Sequence, residues 1–113
     1  MKPALRVMLC DDAGERFFGE GPCRLLHLID ETGSLRSAAA QMGLSYSKAL
    51  RLVQHAEKEL GFALTCKTIG GRGGGGCTLS AEARQFLERY EAYRDACVQT
   101  SRELYSAFFP GQR

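Results

Sequence analysis

Hydrophobic and polar positions follow two different periods along the chain, and each period predicts its own kind of element. Residues 4–18 alternate apolar and polar side chains around the turn-forming stretch DDAGE, which predicts a β-hairpin. Apolar residues then recur at helical spacing over residues 22–32, 34–42 and 45–60, which predicts three helices in succession. Serines precede the second and third helices, and glycines close the first two, as expected for helix caps.

The second half of the chain predicts another hairpin and one long helix. Residues 63–79 place strand-like stretches on either side of GGRGGGG, which holds six of the thirteen glycines. Residues 81–108 form the predicted helix, and its stripe steps alternately by four and three residues. A heptad stripe of this length predicts packing against a second copy of the chain, rather than only along its own domain. The predicted dimer-interface residues are Phe86, Tyr90, Tyr93, Cys97 and Leu104.

The order of these elements predicts a single winged helix-turn-helix domain over residues 1–113. The short alanine-rich helix and the next helix are joined by a tight turn that contains Gly43, which is the form of a helix-turn-helix. The hairpin after this helix pair then corresponds to a wing. We therefore expect a mostly α fold with small β elements, an N-terminal β-hairpin and a long C-terminal dimerisation helix.

Basic residues are concentrated in the middle third of a chain whose net charge is only +2. Residues 34–72 contain six Lys or Arg and two Asp or Glu, whereas residues 1–33 contain four and six. A basic patch beside acidic flanks predicts an anionic partner on one face of the molecule. The sequence has no membrane span and no signal peptide, so we expect a cytoplasmic protein without a membrane partner.

Catalytic, metal and cofactor sites find little support in the sequence. The glycine run matches the spacing G-x-G-x-x-G of dinucleotide sites. Such a site requires a strand after the next helix, and the sequence predicts none there. His27 and His55 lie on different predicted helices, and no spacing suggests a nucleophile with its base. We therefore predict no enzymatic activity, no metal, no cofactor and no small-molecule effector site. The five cysteines predict free thiols or, alternatively, a pairing of Cys66 with Cys77 across the second hairpin.

The exposed face of the third helix carries the residue types that bind duplex DNA. A recognition helix needs polar side chains near its N-terminal end, where they reach base edges in the major groove. Charges on one helix are often merely solvated, but the preceding helix and turn favour a DNA-binding role. Bare glycine N–H groups on a wing can approach phosphates that side chains would obstruct. We predict phosphate contacts from Ser34, Arg36 and Ser37, base or phosphate contacts from Ser45, Tyr46, Ser47, Lys48 and Arg51, and wing contacts from Lys67 and Arg72.

These observations lead to one functional hypothesis and one alternative from a different class. The hypothesis is a transcription regulator that binds double-stranded DNA sequence-specifically, as a homodimer on a near-palindromic operator. The alternative is a protein-interaction module that pairs with or modulates another regulator, because a winged helix can also bind a partner through its recognition face.

The chain from about residue 5 to 95 resembles the N-terminal DNA-binding domain of the ModE family of molybdate-responsive bacterial transcription regulators, a LysR-like winged helix-turn-helix. The family patterns GS-[IL]-x-x-AA and G-[IML]-SY are matched by Gly33, Ser34, Leu35, Ala38, Ala39, Gly43, Leu44, Ser45 and Tyr46. Its glycine-rich wing is matched by Gly70, Gly71, Gly74, Gly75, Gly76 and Leu79. The resemblance implies a DNA-binding winged helix.

The sequence also departs from the family pattern. It has Cys66 and Lys67 where the family often has Glu and Arg before the wing, and Ala83 where a glycine is common. Lysine keeps the positive charge of arginine but lacks its planar fork of donors. The sequence has no counterpart of the family's molybdate-binding domains, so the resemblance does not extend to molybdate sensing.

Overall fold

Four helices and two small antiparallel sheets make up the parts of the chain that the structure describes, residues 1–68 and 76–111 of a computed structural model. The fold class predicted from the sequence is confirmed, including the N-terminal hairpin and the long last helix. Within these residues no helix is both long and apolar enough to cross a bilayer. The elements in chain order are β1 (Leu9–Cys10), β2 (Arg16–Phe18), α1 (Glu20–Thr32), α2 (Leu35–Gln41), α3 (Tyr46–Leu60), β3 (Thr65–Thr68), β4 (Gly76–Leu79) and α4 (Ala81–Phe108).

Serine side chains fix the starts of three helices. The Oγ atoms of Ser34, Ser45 and Ser80 each accept a hydrogen bond from the backbone N–H three residues later, at 3.0 to 3.1 Å. Each bond satisfies a donor that has no partner inside its helix. Gly33 and Gly61 end α1 and α3 in the left-handed conformation, which glycine adopts without a steric penalty.

The N-terminal hairpin is shorter than the predicted span of residues 4–18. Strand pairing covers only β1 and β2, and Asp11 closes the turn by accepting the N–H groups of Ala13 and Glu15. Upstream, the carbonyl of Val7 accepts a hydrogen bond from a tyrosine hydroxyl of α4 instead of a strand N–H. The alternation of apolar and polar residues correctly predicts that Val7 is buried. It wrongly extends the strand to residues 4–8, which do not pair with the second strand.

The first helix begins at Glu20, two residues before the predicted start at Pro22. Proline is tolerated throughout the first helical turn, because backbone N–H groups there have no partner within the helix. The N–H of Cys23 donates to the carbonyl of Gly19 and closes that first turn. Pro22 therefore marks the first turn of α1 rather than its first residue.

The core lies between α1, the α2–α3 pair and the first half of α4. Its small side chains belong mainly to α2 and α3, which lets these helices pack closely against α1. The buried residues that join these elements include Leu25, Leu26, Ile29, Ala38, Ala39, Ala49, Val53, Ala56, Leu64, Leu79, Ala83 and Leu87.

An aromatic cluster attaches the N-terminal hairpin to α4. It includes residues that the sequence analysis assigned to the interface between copies. Phe18 packs edge-on against Phe86 and Tyr90, with ring centroids 4.8 and 4.9 Å apart. Tyr90 is 2% exposed, and its hydroxyl donates to the Val7 carbonyl at 2.7 Å. Tyr90 therefore packs within its own domain, and its predicted place in the interface between copies is wrong. Phe86 is only partly buried, so its place in that interface stays a prediction.

Beyond Cys97, which still packs against the core, α4 extends away from it. Tyr93, Leu104 and Phe108 are more than half exposed. The molecule is accordingly elongated, measuring 58 × 29 × 24 Å along its principal axes. The N-terminus runs beside this part of the helix, because the Tyr105 hydroxyl donates to the carbonyl of Met1 at 3.1 Å.

Candidate nucleic-acid interface

A tight turn sets α3 against α2. Gly43 adopts a φ of +69°, and the N–H of Leu44 donates back to the carbonyl of Ala39 at 2.9 Å. Ser45 then caps α3, whose residues Ala49 and Val53 face the core. This arrangement is the helix-turn-helix predicted from the sequence, and it leaves the N-terminal half of α3 at the surface.

The outer face of α3 is polar and basic. Ser47, Lys48 and Arg51 are exposed, and Tyr46 at the start of the helix is 41% exposed. Within residues 1–68 and 76–111, neither Lys48 nor Arg51 lies within 4.0 Å of a carboxylate oxygen. Their charges are therefore free to interact with an external anion.

A cation–π contact joins the N-terminal ends of α2 and α3. The Arg36 guanidinium lies 4.6 Å from the centre of the Tyr46 ring. Such a contact at an exposed site contributes about 0.5–1 kcal/mol and holds the guanidinium plane over the ring. The sequence predicts both residues as DNA contacts but gives no sign that they touch, since they are ten positions apart on different helices.

An open groove of about 560 Å³ lies between the α2–α3 pair and the base of the wing. It brings together four predicted contact residues, Ser34, Arg36, Tyr46 and Lys67. Thr65 also lines the groove but is absent from the prediction. Alternation along β3 places Thr65 on the same face as Lys67, so the period of two would have found it. The groove also has Leu35, Leu50, Thr68, Gly76 and Cys77 in its walls.

The base of the wing is fastened to the junction between α1 and α2. The N–H of Cys77 donates to the carbonyl of Gly33 at 2.8 Å, and the N–H of Gly76 donates to the Thr68 hydroxyl oxygen at 2.9 Å. A Cβ atom at residue 76 would overlap the Gly33 carbonyl oxygen. Glycine is thus required at position 76 because the two backbones approach closely at the wing base. The sequence suggested a different reason, namely that side chains on the wing would obstruct its approach to phosphates.

The remaining glycines of the run and Arg72 lie within residues 69–75, outside the described residues. Contact between Arg72 and DNA therefore stays a prediction.

The positions of Cys66 and Cys77 follow from the fixed register in which β3 and β4 pair. Cys66 lies opposite Thr78, and Cys77 lies opposite Lys67, so the two thiols point to opposite faces of the hairpin. Both are free thiols, and the alternative of a Cys66–Cys77 pairing is wrong.

Serine hydroxyls complete the surface around α2 and α3. Ser34 and Ser45 use their Oγ lone pairs as helix caps, at 3.0 and 3.1 Å from the N–H groups of Ser37 and Lys48. Each hydroxyl keeps its proton to donate to an external acceptor. Ser37 is exposed beside them. Side-chain donors and positive charges thus lie at or near the surface of α2, α3 and the wing base. We call this set the recognition surface: Ser34, Arg36, Ser37, Ser45, Tyr46, Ser47, Lys48, Arg51 and Lys67.

Two arginines of α4 form ion pairs with acidic residues of α1. Arg84 forms a bidentate pair with Asp30, with N···O distances of 2.8 and 3.1 Å. Hydrogen bonding from Arg84 lowers the pKa of the Asp30 carboxyl. Arg94 lies 3.6 Å from Glu20 and 3.7 Å from Glu91. Because these arginines neutralise carboxylates of α1, the negative charge of α1 offsets less of the positive charge of the recognition surface.

The sequence is similar to known bacterial proteins. Residues 23–84 match the family described as bacterial regulatory helix-turn-helix protein, lysR family. The chain is 38% identical over 73 residues to the molybdenum transport protein ModE of Herbaspirillum seropedicae, a match that covers 65% of this chain and 25% of that protein. It is 35% identical over 87 residues to the molybdenum-pterin-binding protein MopB of Rhodobacter capsulatus, covering 77% and 32%. The chain thus spans about a quarter to a third of these relatives, and the predicted resemblance to ModE is confirmed.

The fold is also similar to solved structures. The CbnR_DBD–DNA complex gives a TM-score of 0.57 at 22% identity, covering 77% of this chain and 94% of that one. VV2_1132, a LysR family transcriptional regulator, gives 0.56 at 19% identity, covering 80% and 29%. At these identities the similarity concerns the fold, and it agrees with the predicted winged helix-turn-helix.

Proposed function

Because the chain belongs to the lysR family of bacterial regulatory helix-turn-helix proteins, we propose that it binds double-stranded DNA sequence-specifically and regulates transcription as a cytoplasmic homodimer. The observation that carries the proposal is the recognition surface, in which exposed cations without carboxylate partners among the described residues surround the start of α3. Duplex DNA is the polyanion whose major groove accommodates one α-helix.

Base recognition is assigned to the N-terminal half of α3. Ser47, Lys48 and Arg51 project from the exposed side of the helix, opposite the buried Ala49 and Val53. Arginine forms two hydrogen bonds to the O6 and N7 atoms of guanine, and serine bonds to any base edge. We therefore assign Arg51 the largest share of sequence preference.

Phosphate binding is assigned to the rim of the groove. Ser34 and Arg36 line the groove at the start of α2, Ser37 is exposed beside them, and Lys67 lines the same groove from the wing. Phosphate contacts from both walls of the groove would fix the register of the inserted helix on the duplex without reading sequence. Arg72 of the wing is assigned the same role from its sequence position.

Homodimer formation is assigned to the second half of α4. Tyr93 and Leu104 are 56% and 53% exposed, and Cys97 between them is partly buried. Their heptad spacing matches the seam of a two-helix coiled coil, and a second copy would bury this apolar stripe. A two-fold dimer would place its recognition helices on half-sites about 34–36 Å apart, which is why we expect a near-palindromic operator.

Selection of bound sites from a random duplex pool with the purified chain tests the proposal. Sequence-specific binding enriches one motif, and two-fold symmetry of that motif reports the dimer. For any variant that removes a cation from the recognition surface, Arg89→Ala is the matched control, because Arg89 is exposed on α4 outside that surface. No enrichment, together with no retention on DNA at low salt, would contradict DNA binding and leave the protein-interaction module as the better description.

A further inference from the structure

Three side chains with metal-binding atoms converge between α1 and α4, and none of them belongs to the recognition surface. Cys23 and His27 are four residues apart on α1, so they lie on the same helical face. Glu91 reaches this face from α4, with its Oε1 atom 2.9 Å from His27 Nε2. The cysteine sulfur, one imidazole nitrogen and one carboxylate oxygen all lie within 4.8 Å of one another.

This spacing is close to that of a tetrahedral zinc site. Bonds of about 2.0 Å to nitrogen or oxygen and about 2.3 Å to sulfur put the ligand atoms roughly 3.3–3.8 Å apart. His27 Nε2 and Glu91 Oε1, now 2.9 Å apart, would have to separate slightly, and the distances from the Cys23 sulfur, at most 4.8 Å, would have to shorten by roughly 1 Å. Side-chain rotation supplies changes of this size without moving the helices. The ion would replace the present hydrogen bond between His27 and Glu91.

The kinds of ligand and their exposure determine which ion fits. A thiol sulfur, an imidazole nitrogen and a single carboxylate are a borderline-soft set, which suits Zn²⁺ and not Mg²⁺ or Ca²⁺. Cys23 is 4% exposed, whereas the side chains of His27 and Glu91 are 48% and 33% exposed. The ion can therefore enter from the solvent side, where a water would occupy its fourth position.

We propose that Cys23, His27 and Glu91 form a binding site for Zn²⁺ that links α1 to α4. Binding releases the thiol proton of Cys23, so that the thiolate and the Glu91 carboxylate neutralise the ion. Arg94 faces the other oxygen of Glu91, at 3.7 Å from Oε2, and is itself compensated by Glu20 at 3.6 Å. The sequence predicted no metal site, because Glu91 lies 64 positions from His27 and nothing in the spacing brings the two together.

Cobalt provides the direct test, because a Co²⁺–thiolate bond gives an intense charge-transfer absorption that a site without sulfur lacks. The full chain titrated with Co²⁺ should develop this band, and Zn²⁺ should displace it. A variant with Cys10, Cys66, Cys77 and Cys97 all changed to serine should keep the band, since it retains Cys23. Cys23→Ala should lose it.

Two further variants separate ligation from folding. His27→Gln and Glu91→Gln change partly exposed side chains, and circular dichroism checks that both fold. Because loss of even an outer hydrogen-bond partner weakens metal binding by roughly 10–100-fold, each should weaken Zn²⁺ binding at least that much in calorimetry. Glu88→Gln is the matched control for Glu91→Gln, since Glu88 is an exposed carboxylate of α4 outside the three proposed ligands.

The proposal is overturned if the cobalt band is absent from the four-serine variant, or if it persists in Cys23→Ala. It is also overturned if His27→Gln leaves Zn²⁺ binding unchanged, or if Glu88→Gln weakens it as much as Glu91→Gln does. These measurements use no DNA, so their outcome is independent of the proposed function.

Discussion

Helices α3 and α4 both carry several cations, yet they use their surfaces in opposite ways. On α3, the apolar side chains face the core, and Lys48 and Arg51 have no carboxylate partner in the described parts of the chain. On α4, Arg84 and Arg94 are paired with acidic residues of α1. The second half of α4 instead exposes apolar side chains such as Leu104.

The difference indicates what kind of partner suits each helix. An exposed cation without an internal partner can bind phosphate at no cost in broken contacts, whereas a paired arginine must first give up its carboxylate. An exposed apolar stripe gains free energy only when another apolar surface covers it. The surface of α3 therefore suits a polyanion, and the second half of α4 suits a second copy of the chain.

The largest expected effect comes from disrupting the α4 seam. Tyr93→Glu combined with Leu104→Glu should give a monomer in analytical ultracentrifugation, because four glutamates would face one another across a two-fold seam. Affinity for an operator with two half-sites should fall by about 10²–10⁴-fold, since the second contact is no longer intramolecular. Binding to a single half-site should be unchanged.

Arg102→Glu is the control for the seam variant. It changes the net charge by the same two units, and Arg102 is exposed on α4 outside the heptad stripe. It should leave the dimer intact. A dimer that survives the double substitution would show that α4 does not form the seam.

Arg51→Ala is expected to have the next largest effect, through the recognition surface. Loss of a bidentate base contact should cost about 1–3 kcal/mol on the selected site and should relax preference at one base pair. Fluorescence anisotropy with the selected duplex and its single-base variants measures both. An equal loss on every duplex would reassign Arg51 to phosphate, while Arg89→Ala should have no effect on either quantity.

Lys67→Ala should have a smaller effect that does not depend on sequence. Removing one phosphate contact should weaken all duplexes similarly and reduce the slope of log K against log salt by about one. Arg84→Ala provides the sharper comparison, because Arg84 is paired with Asp30 and is not part of the recognition surface. If both substitutions reduced the slope equally, the paired arginines of α4 would bind phosphate as readily as the unpaired cations of the recognition surface, contrary to expectation.

The smallest expected effect is on the pH dependence of stability. Arg84 lowers the pKa of Asp30 in the folded chain, so the pair stabilises the fold above the ordinary carboxyl pKa and loses this contribution as the pH falls through the lowered value. Arg84→Gln should therefore unfold slightly more easily near neutral pH and equally easily in strong acid. Urea unfolding across this range measures the difference, and a gap that persists in strong acid would rule out the charged pair as its cause.

Local features of the fold could be predicted because their causes lie within a few residues. Ser34 and Ser45 cap their helices through hydrogen bonds that span three positions, and Gly43 supplies the turn between them. The exposed face of α3 follows from helical periodicity in the same way. These short-range rules place Lys48 and Arg51 on the exposed face of α3, as observed, while their contacts with DNA stay a prediction.

Other features depend on how distant elements pack. Tyr90 continues the heptad stripe of α4 in the sequence, but its position beside Phe18 and Val7 places it in the core. The reason for glycine at position 76 is likewise a contact with Gly33, more than forty residues earlier. Spacing along one helix cannot distinguish an internal contact from a contact with a second copy.

The sequence by itself determined which serines cap α2, α3 and α4, which face of each helix is apolar, and where positive charge accumulates, because hydrogen bonds and periodicities within a few residues encode these features. Only the tertiary structure decided which half of α4 remains uncovered, how the wing base is fastened, and that Glu91 meets Cys23 and His27. Those outcomes depend on side chains tens of residues apart, whose meeting is set by packing of the whole core.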